Sequence, residues 1–193
     1  MTPQEINHGI SQSAYLRRIA IISDTHGHID QNIIDTIKDC DRIVHAGDIC
    51  GAHILTQLES ICSNITAVTG NNDCESLWCK TESSIVNSLP AIVEIELPGG
   101  TLAIEHGHKH GMQQPDHASL RASHPHARVI IYGHTHKMII DDKVTPWVIN
   151  PGAAGETRTG EGPSCMILTA VTEGEWEIEM FRFENKNRNE AVA

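Results

Sequence analysis

The stretch RIAIISDTHGHIDQNIIDTIKDCDRIVHAGD, residues 18–48, decides the architecture. Arg18 to Ser23 is an apolar run of strand length, after which Ile29, Ile33, Ile34 and Ile37 recur at helical spacing. Arg42 to Ala46 is a second strand. Further on, Ile54 to Leu58 reads as a helix and Ile65 to Thr69 as a third strand. The order βαβαβ builds a parallel sheet. Beyond residue 73 the grammar changes. Leu89 to Leu97, the turn Pro98-Gly99-Gly100 and Thr101 to Glu105 read as a hairpin. A short helix around Pro115 to Ala122 precedes strands at Arg128 to Tyr132, Met138 to Asp141, Trp147 to Ile149, Cys165 to Val171 and Glu175 to Phe183. Thr172-Glu173-Gly174 marks a turn between the last two. Antiparallel pairing is expected to take over in this half. The fold class is therefore mixed α/β: two stacked sheets flanked by helices, in one domain over residues 18–193, after a polar extension at residues 1–17.

Composition narrows the function. The chain has 193 residues, and 14 basic against 25 acidic side chains leave a net charge of −11. That balance argues against a broad surface for nucleic acid or anionic lipid, while a local cationic site remains allowed. Six cysteines without a CxxC pair predict reduced thiols, most of them small core residues. The N-terminal stretch lacks an apolar run of signal-peptide length and no membrane-spanning run occurs, so a cytoplasmic protein is expected. Histidine is the outlier, at thirteen.

Those histidines, with Asp and Asn, fall just beyond strand ends. Ser23-Asp24-Thr25-His26-Gly27-His28 follows the first strand, Gly47-Asp48 the second and Gly70-Asn71-Asn72-Asp73 the third. Open parallel sheets collect ligands at that edge. Glu105-His106-Gly107-His108 and Gly133-His134-Thr135-His136 end later strands in the same way. Five such clusters supply enough N and O donors for two metal ions. His45 is read as a core residue or a neighbour of the ligands, and His53, His110, His117, His124 and His126 as surface residues.

The ordered set DxH, GD, GNxD, HGH and GHTH resembles the calcineurin-like metallophosphoesterases over about residues 18 to 183. With its short length and its Asn150-Pro151-Gly152 turn, the chain is most similar to the small bacterial and archaeal phosphodiesterases of the YfcE/MJ0936 type. The resemblance implies a four-layer αββα fold and phosphodiester hydrolysis by a hydroxide bridging two cations, with a phosphomonoesterase or a non-catalytic scaffold like the retromer subunit as alternatives. It implies that Asp24, His26 and His136 bind the first metal, that Asp48 bridges, and that Asn71, His106 and His134 complete the second. Two carboxylates against two dications leave a surplus of positive charge that would draw a phosphate ester. Manganese is the metal expected, with Fe, Ni or Zn also suited to the donor set.

This chain departs from the pattern at Asn72, where many relatives carry the histidine that protonates the leaving group. Asn72 can donate a hydrogen bond but no proton, so His108 or a metal-bound water is left as the acid. Asp73 is expected to orient His26 or to cap a following helix, and Arg158 to reach the substrate phosphate. The partner implied is a small phosphate ester, and a homo-oligomer stays open.

Overall fold

Alternation along the first strand creates two cores. In β1 (Arg17–Ile22), Ile19 and Ile21 face one side and Ala20 and Ile22 the other, and all four are buried. The structure, a computed structural model, describes residues 17–155, 158–171 and 174–184. The chain continues through α1 (Gln31–Ile37), β2 (Arg42–His45), α2 (Ala52–Glu59), β3 (Ile65–Ala67), α3 (Ser83–Ser88), β4 (Ile92–Leu97), β5 (Gly100–Glu105), α4 (His117–Ser123), β6 (Val129–Ile131), β7 (Met138–Asp141), β8 (Trp147–Pro151), β9 (Ser164–Ala170) and β10 (Trp176–Arg182). Short 3₁₀ turns occur at Lys80–Glu82 and His108–His110.

Two five-stranded sheets result, in the orders β10-β9-β1-β2-β3 and β4-β5-β6-β8-β7. Ile19, Ile21, Val44, Leu102, Ile104, Val129 and Met166 fill the space between them. On the outer face of the first sheet, Ala20, Ile22, Ile43 and Ile167 pack against Ile33 and Ile37 of α1 and Ile54 and Leu58 of α2. Helix α1 turns its isoleucines inward and begins at Asp30, whose carboxylate accepts from the Asn32 N–H at 2.8 Å. Ala103, Ile130 and Val148 on the outer face of the second sheet meet Leu120 of α4. The layers run α, β, β, α.

The second half departs from the expected antiparallel pairing. In the second sheet β5, β6 and β8 run parallel and only the edge pairs β4–β5 and β7–β8 are antiparallel, whereas β9 and β10 form the expected antiparallel pair, with β9 also antiparallel to β1 in the first sheet. The β5–β6 connection carries α4, as a parallel crossover requires. Leu120 is the one buried apolar residue of that helix, so its period is faint in the sequence. Helix α3 lies in a stretch with no predicted element. Strand β1 starts at Arg17, inside the expected extension, whose other residues lie outside the described ones, as do Thr172 and Glu173 of the predicted turn. Among the described residues no helix is long and apolar enough to cross a membrane.

Candidate metal centre

The carboxyl ends of β1, β2, β3, β5 and β6 lie together, and their loops are tied to one another. Asp24 N donates to Gly47 O at 3.0 Å, His26 N to Asp48 O at 3.0 Å and Gly27 N to Ile49 O at 2.9 Å, which continues the β1–β2 ladder past the sheet. The Asp24 carboxylate accepts from His134 N at 3.0 Å, joining the first sheet to the second. Gly133 is required there, because a Cβ would collide with Ser23 Oγ and the Asp24 carboxylate. His45, wholly buried, accepts from Gly47 N at Nδ1 and so gives its Nε2–H to Thr25 Oγ1, 3.0 Å away. Asn150 Nδ2 donates to Gly133 O and Thr135 Oγ1, which fixes the turn between His134 and His136.

Every non-glycine residue with positive φ among the described residues sits in these loops: Asp24 (54°), His26 (46°), Asp48 (56°), Cys50 (60°), His134 (72°) and His136 (56°). A left-handed backbone at an L-residue costs about 1–2 kcal/mol. Such strain gathers at functional sites. Here it turns the chain so that side chains from separate loops face one basin.

Five of the seven expected ligands converge in two overlapping groups, Asp24–His26–His136 and Asp24–Asp48–His106, with donor atoms of each within 4.8 Å of one another. His26 Nε2 lies 3.1 Å from His136 Nε2 and 3.7 Å from Asp48 Oδ2. His136 Nε2 is 3.4 Å from Asp24 Oδ1. His106 Nε2 is 3.4 Å from Asp48 Oδ2 and 4.0 Å from Asp24 Oδ1. Asn71 and His134 stand beside these groups, with Asn71 Oδ1 2.8 Å from His134 Nδ1 and the His134 ring 5.2 Å edge-on from that of His106.

Hydrogen-bond partners assign the ring protons. His106 gives Nδ1–H to the Ala46 carbonyl at 2.7 Å, so its Nε2 holds a lone pair; that atom is buried and has no hydrogen-bond partner. His134 gives Nε2–H to the Met112 carbonyl at 2.8 Å, so its Nδ1 turns a lone pair toward the Asn71 oxygen. Acceptors therefore meet acceptors inside the basin. Divalent cations resolve that conflict, and imidazole, carboxylate and amide oxygen suit them.

The electrostatics agree. Burial pushes the Asp24 carboxyl up to about 7. It pushes Asp48 the same way, but His106 and two hydrogen bonds from Asn72 outweigh it and hold that carboxyl below the usual range. Burial lowers His26 and takes His136 down to about 4, the His26 and Arg158 charges adding to the latter, so both rings are neutral near pH 7. His106 is raised against its burial by Asp48 and Asp24, a field that attracts a proton or a cation alike.

The remaining candidates are placed as follows. Asn72 is spent on Asp48: its backbone N donates to Oδ1 at 2.8 Å and its Nδ2 to Oδ2 at 2.7 Å. Asp73 makes no hydrogen bond to His26 and caps no helix, contrary to expectation. Its carboxylate instead accepts from the N–H groups of Ile49, Cys50 and Gly70 and from the Trp78 indole, clamping the second loop to the third. Those four donors surround it completely enough to leave nothing for His26. The His108 ring lies 5.5 Å from His106 and 6.1 Å from His134, its Nδ1 buried and unpartnered. Arg158 is exposed, yet its charge lowers both His26 and His136. His124 is not a surface residue. It is 4% exposed and, with His110, meets the buried carboxylate of Glu105 at 2.9 and 3.1 Å. Sequence reasoning missed Cys50, whose Sγ lies 3.6 Å from His26 Nδ1. Its place between Asp48 and Gly51, at the same strand end, was the available signal. Burial pushes the Cys50 thiol up to about 12.

The family model described as the calcineurin-like phosphoesterase superfamily domain matches residues 18–173. The phosphodiesterase MJ0936 of Methanocaldococcus jannaschii is 29% identical over 153 residues, covering 74% of this chain and 87% of the relative. A solved structure of an archaeal phosphodiesterase superposes with a TM-score of 0.62 at 27% identity, over 85% of this chain and 99% of that one. Vacuolar Protein Sorting 29 from Cryptosporidium parvum superposes with a TM-score of 0.69 at 18% identity, over 88% and 99%. At that identity the last likeness concerns the fold alone.

Proposed function

The chain belongs to the calcineurin-like phosphoesterase superfamily, and from that premise and the basin's geometry we propose that it hydrolyses phosphodiesters at a dinuclear, metal-dependent centre. Asp24, His26 and His136 hold one divalent cation, Asn71, His106 and His134 the other, and Asp48 both. The single observation that carries this is His106 Nε2, a buried lone pair with no hydrogen-bond partner, aimed at two buried carboxylates while Nδ1 is committed to Ala46. The diester, rather than a monoester, is supported by the name of the M. jannaschii relative. Manganese is the proposed metal, in a donor set of imidazole, carboxylate and amide without thiolate that suits Fe, Ni or Zn as well.

When bound, such cations polarise phosphoryl oxygens and lower the pKa of water toward neutrality. The chain's own residues do the rest. Asn72 holds both oxygens of Asp48 by two hydrogen bonds, so the shared carboxylate keeps its orientation. Asp73 fixes the relative position of the loops bearing Asp48 and Asn71. His108, whose pKa is lowered by burial and by the His106 and His134 charges, is left as a weak source of the leaving-group proton beside metal-bound water, and Arg158 receives the substrate phosphate.

The test is metal analysis of the purified chain, then hydrolysis of bis- and mono-nitrophenyl phosphate with added Mn²⁺, with Asp48→Asn as the dead control. Faster turnover of the diester is expected. Faster turnover of the monoester would overturn the substrate reading, and a chain with neither metal nor turnover would overturn catalysis in favour of a scaffold.

A further inference from the structure

A metal-binding imidazole needs a partner on the nitrogen that faces away from the metal, because that partner selects the tautomer and stops the ring turning. In two of the basin's histidines the partner is a backbone carbonyl, Ala46 O for His106 at 2.7 Å and Met112 O for His134 at 2.8 Å. His26 differs. Its Nε2 faces His136 and Asp48, and on the other side of the ring Nδ1 lies 3.6 Å from Cys50 Sγ, within the range of an N–H···S bond.

Both ends of that contact are held by backbone. His26 N donates to Asp48 O at 3.0 Å, and Cys50, at φ 60°, donates its N–H to Asp73 Oδ1 at 2.9 Å. Cys50 belongs to neither group of atoms that could hold an ion, so its sulfur stands behind the ligand and outside the ligand set. Resting on the metal-centre reading above, we propose that Cys50 is a positioning residue for the first cation: its sulfur accepts the His26 Nδ1–H and thereby keeps the Nε2 lone pair turned into the basin. The tautomers are mutually consistent. With His26 protonated at Nδ1, His136 donates Nε2–H across the 3.1 Å contact, which leaves His136 Nδ1 as the bare buried atom observed. The left-handed backbone at Cys50 has the same use, since it brings a side chain back over the preceding loop.

The experiment uses the full chain, stripped with a chelator, in wild-type, Cys50→Ala and Cys50→Ser forms. Mn²⁺ alone is titrated by calorimetry, and long-range ¹H–¹⁵N spectra of the metal-free protein report the His26 tautomer. The Ala variant is expected to weaken one of two Mn²⁺ binding steps by about 10- to 100-fold. The Ser variant, whose oxygen also accepts from N–H, is expected to recover most of that loss. Wild-type affinity in the Ala variant would overturn the proposal, as would equal weakening by Ala and Ser, which is the mark of packing alone. Should the Ala variant fail to fold, the wild-type spectrum decides, and a His26 protonated at Nε2 overturns it. A wild-type chain that binds no Mn²⁺ would instead overturn the metal-centre reading, leaving the tautomer to judge Cys50 separately.

Discussion

Replacing Asp73 by Asn tests whether this carboxylate clamps loops or serves His26. Its Oδ1 accepts from Ile49 N at 2.9 Å, Cys50 N at 2.9 Å and the Trp78 indole at 3.1 Å, while Oδ2 accepts from Gly70 N at 2.8 Å. An amide cannot satisfy this set in either orientation. Its cheaper setting keeps oxygen at the three-donor position and turns NH₂ toward Gly70 N–H, orphaning one donor at about 1–3 kcal/mol. The other three bonds pass from a charged to a neutral acceptor and each weakens by about 1 kcal/mol. Bonds that share one acceptor are not additive, so about 3 kcal/mol is expected in all. At 1.4 kcal/mol per decade, opening of these loops becomes about 100-fold more frequent. Hydrogen exchange read by NMR on the metal-free chain should show that acceleration at the Ile49, Cys50 and Gly70 amides, while amides in the middle of β1 change far less. Unchanged exchange at Gly70, together with an altered His26 ring tautomer, would refute the clamp and restore the orienting role.

Asp48→Asn removes the carboxylate 3.7 Å from His26 Nε2 and 3.4 Å from His106 Nε2, so bound metal should fall by at least one equivalent and diester hydrolysis should drop below detection; retained turnover with full metal content would contradict a shared ligand. Gly133→Ala drives a Cβ into Ser23 and Asp24, and overpacking of this kind costs about 1–3 kcal/mol, so thermal denaturation should show a lowered midpoint alongside weakened Mn²⁺ binding. For Glu105, His124 and His110 outweigh burial and hold the carboxyl below 4.5, a contribution present above that pH and lost as pH falls through the folded value; for His124, bonded to Glu105, the pKa stands above 6.5, a contribution present below that pH and lost as it rises through the folded value. Glu105→Gln should therefore destabilise most between about pH 4.5 and 6.5, and a deficit independent of pH in thermal melts would rule the pairing out. With Asn72 bound to Asp48 and unable to give a proton, diester rates should fall as leaving-group pKa rises, and a flat plot across a series of aryl esters would show that a strong acid is present.

Much of the fold could be read because burial imposes a period on the residues that cause it. The isoleucines of β1 and α1 repeat at two and at three-to-four residues, and the structure uses them that way. The second sheet was harder. Parallel pairing of β5, β6 and β8 depends on the crossover through α4, and one buried leucine in that helix leaves no stripe to detect. The histidines of this segment mislead for a related reason. His124 sits among polar residues in sequence, yet it is buried because Glu105, nineteen residues earlier, is buried opposite it; a polar pair hidden together resembles a solvated one until both positions are known.

The candidate ligands could be found because they follow strand ends, and strand ends can be located from apolar runs. Their supports could not, since what holds a ligand is mostly backbone. The carbonyls of Ala46 and Met112, and the N–H groups gathered by Asp73, belong to no side-chain pattern. The clearest mark of the basin is also silent in one-letter code: six Asp, His and Cys residues hold a left-handed backbone that glycine would adopt more easily. Non-glycine residues in that region are uncommon, Asp and His entering it more readily than most, and at up to about 1–2 kcal/mol each they lower the stability of the folded chain. Packing does not require them, since the cores close with ordinary strands and helices. The strain is explained only if those side chains, delivered at those angles, do something glycine cannot. In a basin where the lone pairs of Asn71 and His134 already meet across 2.8 Å, ligating cations is the task that fits.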